Sequence, residues 1–245
     1  MKTQHLTRFL LPVMLSTGAC APVANHAPAT AEIEATGMLA IQTQQSEAIA
    51  KLRQWANNGI VTAQCELGLA LTTRHETQAE AALWLTRAAQ AGDVTAQWTI
   101  AEAYYKAQLG LQQDYSLAWK WYMAAAAQKQ PKASFMLARM SKYGEGTEKN
   151  LAQSIDWLRI SSEQGNAQAM FLLSNAYEAG EGIEQNKKLS QYWLELAAAG
   201  DYPPAIQSLS MQLEDRNSQS HDPQRARHLI KEASDERLLR WNQYQ

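Results

Sequence analysis

A period of about 36 residues runs through most of the chain and constrains its fold more than any other feature. Four tryptophans mark it, at spacings of 37, 36 and 36 residues: Trp84, Trp121, Trp157 and Trp193. An alanine follows each tryptophan after 12 residues: Ala96, Ala133, Ala169 and Ala205. A fixed period of this length is typical of stacked supersecondary units, because each unit buries its apolar face against the next one.

Within each unit the apolar positions have the spacing of an α-helix. The aligned units begin near residues 63, 96, 133, 169 and 205, where the fourth residue after the start is Leu or Ile and the fifth is small. The eighth is usually large, and offsets of 0, 4, 5 and 8 lie on one face of a helix. The second half of each unit repeats this pattern around its tryptophan. The sequence therefore predicts an all-α solenoid of about five helix-turn-helix repeats.

A stretch with two glycines separates the predicted helices in two of the units, "SKYGEGTEKN" (141–150) and "YEAGEGIEQN" (177–186). A dinucleotide-binding loop would carry a third glycine and would follow a strand. Here Gln185 stands at the third position and the preceding element is helical. We therefore interpret the stretch as a turn in which glycine accepts a left-handed backbone and Asn186 caps the next helix. No cofactor is expected.

These residues resemble the Sel1-like repeat, a relative of the tetratricopeptide repeat. The best match spans residues 169–200 and rests on Ala169, Leu173, Tyr177, Gly180, Gly182, Ile183, Asn186, Trp193, Ala197, Ala198 and Gly200. The resemblance implies a right-handed α-solenoid whose first helices line a concave face. It also implies adaptors and scaffolds without family-wide catalytic residues, often in the bacterial envelope, some of them acting in exopolysaccharide export. Repeat one lacks the glycine turn, Lys129 replaces a closing glycine, and the fifth unit lacks its tryptophan.

The first 19 residues have the form of a secretory signal, with Lys2 and Arg8, a short apolar run, and small residues before a cysteine. The order "STGAC" resembles a bacterial lipobox, although Thr17 stands where Leu is usual. This pattern predicts a lipid on Cys20. An ordinary signal peptide, cut after "ACA" or "APA", stays open as the alternative.

The remainder of the chain divides into a tether and the repeats. Residues 20–44 are rich in Ala, Pro and Thr and are expected to form a flexible tether, followed by the solenoid over 45–245 with a C-terminal capping helix. Because Ala21 follows the cysteine, where Asp would retain a lipoprotein in the inner membrane, we expect an outer-membrane lipoprotein on the periplasmic side. A soluble periplasmic or secreted protein is the alternative.

Few residues are suited to catalysis or metal binding. The five histidines, His5, His26, His75, His221 and His228, do not have ligand spacing, and no G-x-S-x-G motif is present. The formal net charge of -2 provides no basic field for nucleic acid. Cys65 occupies a position that is aromatic in three other units, which predicts a buried free thiol. We expect no enzyme, no metal and no nucleic-acid partner.

Variable positions of the first helices are the candidate binding residues. Six positions and nine positions after each unit start, the sequence places charged, amide and aromatic side chains, of which we select Glu102, Tyr105, Arg139, Lys142, Asn175 and Glu178. Such a mixture is suited to hydrogen-bonding a peptide or protein segment. The sequence thus predicts a non-catalytic scaffold for envelope proteins.

Two other functions stay open at this point. A glycan-related role, in exopolysaccharide export or peptidoglycan binding, would require exposed Trp98 and Tyr105 beside Glu102. A hydrolase would require titratable side chains that converge in one pocket.

Overall fold

The computed structural model describes residues 27–216 and 220–243, and every regular element in these ranges is helical. The helices, in chain order, are α1 (Thr30–Thr43), α2 (Ser46–Asn57), α3 (Val61–Leu71), α4 (Gln78–Gln90), α5 (Val94–Lys106), α6 (Tyr115–Ala127), α7 (Pro131–Tyr143), α8 (Leu151–Glu163), α9 (Ala167–Ala179), α10 (Lys187–Ala199), α11 (Pro203–Glu214) and α12 (Pro223–Gln243). A short 3₁₀ helix at His75–Thr77 precedes α4. The predicted all-α fold is confirmed.

The helices pack in sequence order, as a solenoid of helix pairs does. The two helices of one repeat make the most extensive contacts, as in α3 with α4, α5 with α6, α7 with α8 and α9 with α10. Each pair then packs on the next through α4 with α5, α6 with α7, α8 with α9 and α10 with α11. Contacts are therefore local along the chain, and each repeat depends on its neighbours for burial.

The expectation of a flexible tether up to residue 44 is wrong for residues 30–43, which form α1. This helix packs on α2 and α3 and buries Ile33 and Ala40 almost completely. A salt bridge of 2.8 Å between Glu32 and Lys51 joins α1 to α2. Gly37 permits the close approach to α3, because a Cβ atom there would overlap the side chain of Glu66. The folded part thus begins well before residue 45.

Small side chains let the two helices of a repeat approach each other. The alanines that begin the aligned units, at 63, 96, 133, 169 and 205, are all fully buried. The small residue five positions later is buried as well, and at Gly68 an added Cβ would lie 2.6 Å from Leu85. The tryptophans are less central, because only Trp84 is buried whereas the other three that mark the period are half-buried.

The predicted glycine turns are confirmed. Gly144 and Gly180 end α7 and α9 with φ values of 78° and 71°, and each backbone N–H donates to a carbonyl four residues earlier at 2.8 Å. Asn150 and Asn186 cap the following helices through their side-chain oxygens. The turns therefore satisfy helix-end groups.

The last helix pair differs from the expected arrangement in one respect. α12 runs from Pro223 to Gln243 without a break. The second helix of the fifth repeat and the expected capping helix are therefore one continuous helix, which packs on α11.

Candidate partner-binding groove

Three adjoining depressions form one groove along the first helices of repeats one to four. The depression between α3 and α5 has a volume of about 630 Å³, and the next, between α5 and α7, about 530 Å³. Trp98 and Glu102 line both. The third, of about 710 Å³, lies between α7 and α9 and shares Phe135 and Gln168 with the second. Because neighbouring depressions share side chains, the groove is continuous over four repeats.

Four of the six predicted binding residues line this groove. Glu102 lies in its first two depressions, and Arg139, Lys142 and Asn175 lie in the third. Tyr105 does not line the groove, but its hydroxyl donates to Glu145 and accepts from Arg139, which do. Glu178 is exposed on α9 outside the lining, and its backbone carbonyl accepts from Gln185 at 2.7 Å.

The junction between α5, α6 and α7 is filled by an aromatic and carboxylate network. Tyr122 of α6 is fully buried and its hydroxyl donates to the Glu102 carboxylate at 2.5 Å. Lys106 donates to the other oxygen of that carboxylate. The ring of Tyr122 also lies against Trp98, with centroids 5.4 Å apart. Burial and the hydrogen bond to Glu102 raise the pKa of Tyr122, so the phenol stays protonated and acts as a donor at neutral pH.

Tyr105, nine positions after its unit start, contacts Arg139, six positions after the next unit start. Its hydroxyl donates to Glu145 at 2.7 Å and accepts from Arg139 at 3.2 Å. The guanidinium carbon of Arg139 lies 5.7 Å from the centroid of the same ring, within range of a cation–π contact. Burial and the hydrogen bond to Glu145 raise the pKa of Tyr105 to about 12, so this phenol is also protonated at neutral pH.

A glutamate in each glycine turn reaches the first helix of the preceding repeat. Glu145 accepts from Tyr105, and the equivalent Glu181 pairs with Lys142 at 2.9 Å. Both partners lie nine positions after their unit starts. Since Lys142 and Glu181 are more than one-third exposed, the ion pair contributes about 1 kcal/mol or less. The side chains nine positions after the unit starts, predicted to contact a partner, are therefore partly engaged in contacts between repeats. The "GEG" that the two turns share could have indicated these contacts.

Tyr122 is the main residue that sequence reasoning missed. It follows the repeat tryptophan directly, where the other repeats have Leu85, Leu158 and Leu194. The search for variable positions covered only the first helices, and the exception in the second helices was overlooked.

The remaining candidates for chemistry lie away from the groove or outside the described residues. Cys65 is a buried free thiol, as predicted, and burial together with the nearby Asp93 raises its pKa. Across residues 27–216 and 220–243, no group of three or more His, Cys, Asp or Glu side chains is placed to hold a metal ion. His5, Cys20 and His26 lie outside the described residues.

The fold and the groove together define a protein built of helix-turn-helix repeats. The chain belongs to the Sel1 repeat family, whose model matches residues 61–93, 94–129, 131–166, 167–202 and 212–237. The first four matches begin two residues before the aligned alanines. Sel1 repeat proteins are generally non-catalytic scaffolds that bind protein partners.

Two solved structures share the fold. A Sel1 repeat protein from Oxalobacter formigenes is 22% identical, with a TM-score of 0.72 over 84% of this chain and 88% of its own. A protective antigen of uropathogenic Escherichia coli strains is 25% identical, with a TM-score of 0.72 over 84% of this chain. This chain spans 46% of the length of that antigen. Comparison with curated proteins found no match.

None of the described helices is both long and apolar enough to cross a bilayer.

Proposed function

We propose that the chain is a non-catalytic scaffold that binds a segment of a partner protein in the groove along α3, α5, α7 and α9. The observation that carries this proposal is the continuity of the groove, in which three depressions share lining residues over four repeats. A groove of this extent suits an extended or helical segment better than a compact small molecule. Its lining mixes apolar, amide and charged side chains, as protein interfaces do.

The polar network supports binding more than catalysis. Glu102 accepts from Tyr122 and Lys106, and Glu145 accepts from Tyr105, so both carboxylates are already hydrogen-bonded inside the fold. The raised pKa values of the two phenols keep them protonated and prevent them from acting as bases at neutral pH. Such a network holds the groove wall in one shape, which favours recognition of a preferred partner.

Photo-crosslinking in cells tests the groove directly. A photoreactive residue at Gln168, which is exposed and lines two depressions, is expected to capture one recurrent protein. The matched control is the same residue at Tyr192 of α10, which is 54% exposed and does not line the groove. Equal capture from both positions, or capture from Tyr192 alone, would place the partner outside the groove and overturn the proposal.

A glycan is the second candidate, because Trp98 lines two adjoining depressions beside Glu102. Aromatic faces next to carboxylates suit sugar rings, and the corresponding roles are exopolysaccharide export or peptidoglycan binding. However, Trp98 and Tyr105 are only half-exposed, and the Glu102 carboxylate already has two donors. A protein segment is therefore favoured. A crosslinked product from Gln168 that shifts on digestion with glycosidases and contains no second polypeptide by mass spectrometry would support the glycan instead.

We further propose that the scaffold acts in the bacterial cell envelope, exported and anchored by a lipid on Cys20. The support is the basic, apolar and small-residue order before Cys20, which lies outside the described residues. Since Ala21 follows the cysteine, we propose the outer membrane as the destination. Cys20→Ser is expected to abolish incorporation of an alkyne-labelled fatty acid and to release the protein from the membrane fraction. Unchanged labelling or unchanged membrane association would contradict the anchor.

A further inference from the structure

The third depression of the groove is larger than the second and reaches the second helix of its repeat. Four residues of α8 line its floor, Leu151, Ser154, Ile155 and Leu158. By contrast, no residue of α6 lines the depression between α5 and α7. We call the third depression the deep cleft. Its volume of about 710 Å³ is within the range of pockets that hold a bound group.

The two junctions differ at one position of the second helix, where the preceding repeat has Tyr122 and the deep cleft has Leu158. Tyr122 extends from the second helix to the first helix, where its hydroxyl donates to Glu102 and its ring lies against Trp98. Leu158 is shorter and lines the deep cleft from α8. The apolar lining also includes Phe135 and Leu172, of which Leu172 is 37% exposed. Exposed apolar surface in a concavity favours a partner that covers it.

Arg139 at the rim has no acidic partner. It is equivalent to Glu102 of the preceding repeat, whose carboxylate accepts from Tyr122. Among residues 27–216 and 220–243, the guanidinium of Arg139 donates to two neutral atoms, the Tyr105 hydroxyl at 3.2 Å and the Met136 sulfur at 4.0 Å. Within the described part of the chain, no carboxylate lies within 4.0 Å of it. A guanidinium has five N–H donors, so most of its capacity is left for a ligand.

The other charged groups at the rim are already engaged. Lys142 pairs with Glu181, and Glu145 accepts from Tyr105, whose ring lies beside the guanidinium of Arg139. Gln168, Leu172 and Asn175 follow one face of α9 at intervals of four and three residues, and both amides are exposed. Amides on the rim of an apolar cleft can hydrogen-bond the backbone of an extended segment.

We propose that the deep cleft takes a large apolar side chain of the bound segment, and that Arg139 pairs with a carboxylate next to that side chain. This inference rests on the proposed function, because it specifies the chemistry of the segment that the groove binds. Arginine matches the planar geometry of a carboxylate with two parallel N–H bonds, and a partly desolvated site strengthens them. The carboxylate is the side chain of an Asp or Glu within the segment.

Selection from random peptide libraries tests both parts. The full chain is used to select 12-residue peptides displayed in two formats, one with both ends joined to the carrier and one with a free C-terminus. The expected result is enrichment of Leu, Ile, Met or Phe next to Asp or Glu in the first format. Enrichment of acid-free sequences that need the free C-terminus would instead assign the terminal carboxylate to Arg139.

Substitutions at Arg139 then separate the two proposals. Arg139→Gln is expected to weaken binding of the selected peptide about tenfold, and Arg139→Glu is expected to select Lys or Arg at the acidic position. Arg159→Gln, on α8 but outside the groove lining, is the matched control and should change neither result. Peptides bound equally by wild type and Arg139→Gln overturn this inference but leave the groove proposal standing. Failure of any peptide to be selected by wild type, or crosslinks that avoid Gln168, overturn both.

Discussion

Two neighbouring junctions of the solenoid share one backbone plan and differ in what fills them. Where α5 and α6 meet α7, Tyr122 is fully buried and donates to Glu102. Where α7 and α8 meet α9, Leu158 and Arg139 occupy the equivalent positions, and the deep cleft opens between the first helices. The first junction is a closed polar and aromatic network, and the second is an apolar cleft with a cation at its rim.

The difference shows how a repeat array acquires a site without changing its fold. The positions that fix helix packing, such as the buried alanines that begin the aligned units, are the same in both junctions. Leu158 lacks the ring that Tyr122 provides in the first junction. Arg139 lacks the carboxylate with which Glu102 accepts the hydrogen bond of Tyr122. Since each repeat contacts only its neighbours, such changes act locally.

The largest effect on stability is expected when Tyr122 of the first junction is replaced by leucine, the residue at the equivalent position of the second junction. Tyr122→Leu removes a buried ring and leaves the half-buried Glu102 carboxylate with only Lys106. The loss of packing together with a hydrogen bond to a charged group should lower the free energy of unfolding by about 4 kcal/mol. Urea unfolding followed by circular dichroism measures it.

The matched control is Tyr192→Leu, which changes a tyrosine that is 54% exposed on α10. Surface substitutions of this kind alter stability by about 0.5 kcal/mol or less. If Tyr122→Leu destabilises the chain no more than Tyr192→Leu does, the filled junction contributes no stability and the contrast between the junctions is wrong.

The turns that flank the two junctions allow a second comparison. Gly146 has a φ of 70°, and a Cβ there would lie 2.2 Å from the backbone oxygen of Tyr115. Gly182 has a φ of 75°, but its Cβ would lie no closer than 3.1 Å to Leu151. Both alanine variants carry the cost of a left-handed backbone, about 1 kcal/mol, and Gly146→Ala adds a clash with rigid backbone. We expect thermal unfolding to show Gly146→Ala as less stable by about 3 kcal/mol and Gly182→Ala by about 1.5 kcal/mol.

The ranking of these two variants is the decisive result. Equal losses of stability in Gly146→Ala and Gly182→Ala would mean that the turn beside the first junction packs no more tightly than the turn beside the second. A larger loss for Gly182→Ala would reverse the comparison, because the open junction would then have the more constrained turn.

The sequence predicted the features that recur along the array. The small residues and the helix pairs repeat at one period in each unit and the glycine turn recurs in two units, so more than one unit supports each prediction. α1 was missed because it stands before the repeats, and its Ala- and Thr-rich sequence resembles a linker. The close approach of Gly37 to Glu66, through which α1 packs on α3, has no counterpart in the repeat period.

The candidate site was predicted less completely, for a different physical reason. Arg139, Lys142 and Asn175 were found because first-helix positions were expected to line a concave face. Four side chains of the second helix α8 also line the cleft, and a pattern taken from the first helices does not include them. The engagement of Lys142 by Glu181 is likewise a contact between repeats, and no pattern within one repeat predicts it.

Alkaline pH provides the smallest test, and it acts on the first junction through Tyr122. Because burial and the hydrogen bond to Glu102 raise the pKa of Tyr122 in the folded chain, the native state keeps a proton that the unfolded state loses above a pH of about 10. The contribution of Tyr122 to stability therefore falls as pH rises past this value, by about 1.4 kcal/mol at pH 11.

Tyr122→Phe removes this dependence, and Leu158 provides no equivalent group in the second junction. The variant should be less stable than wild type at pH 8, because the bond to Glu102 is lost, and the gap should narrow by about 1.4 kcal/mol at pH 11. Urea unfolding of both proteins at the two pH values measures the gap, and titration of the lysines cancels in the difference. If the difference in stability between wild type and Tyr122→Phe is the same at both pH values, the Tyr122 phenol titrates alike in the folded and unfolded states. Its hydroxyl would then not be held by Glu102 in a closed junction.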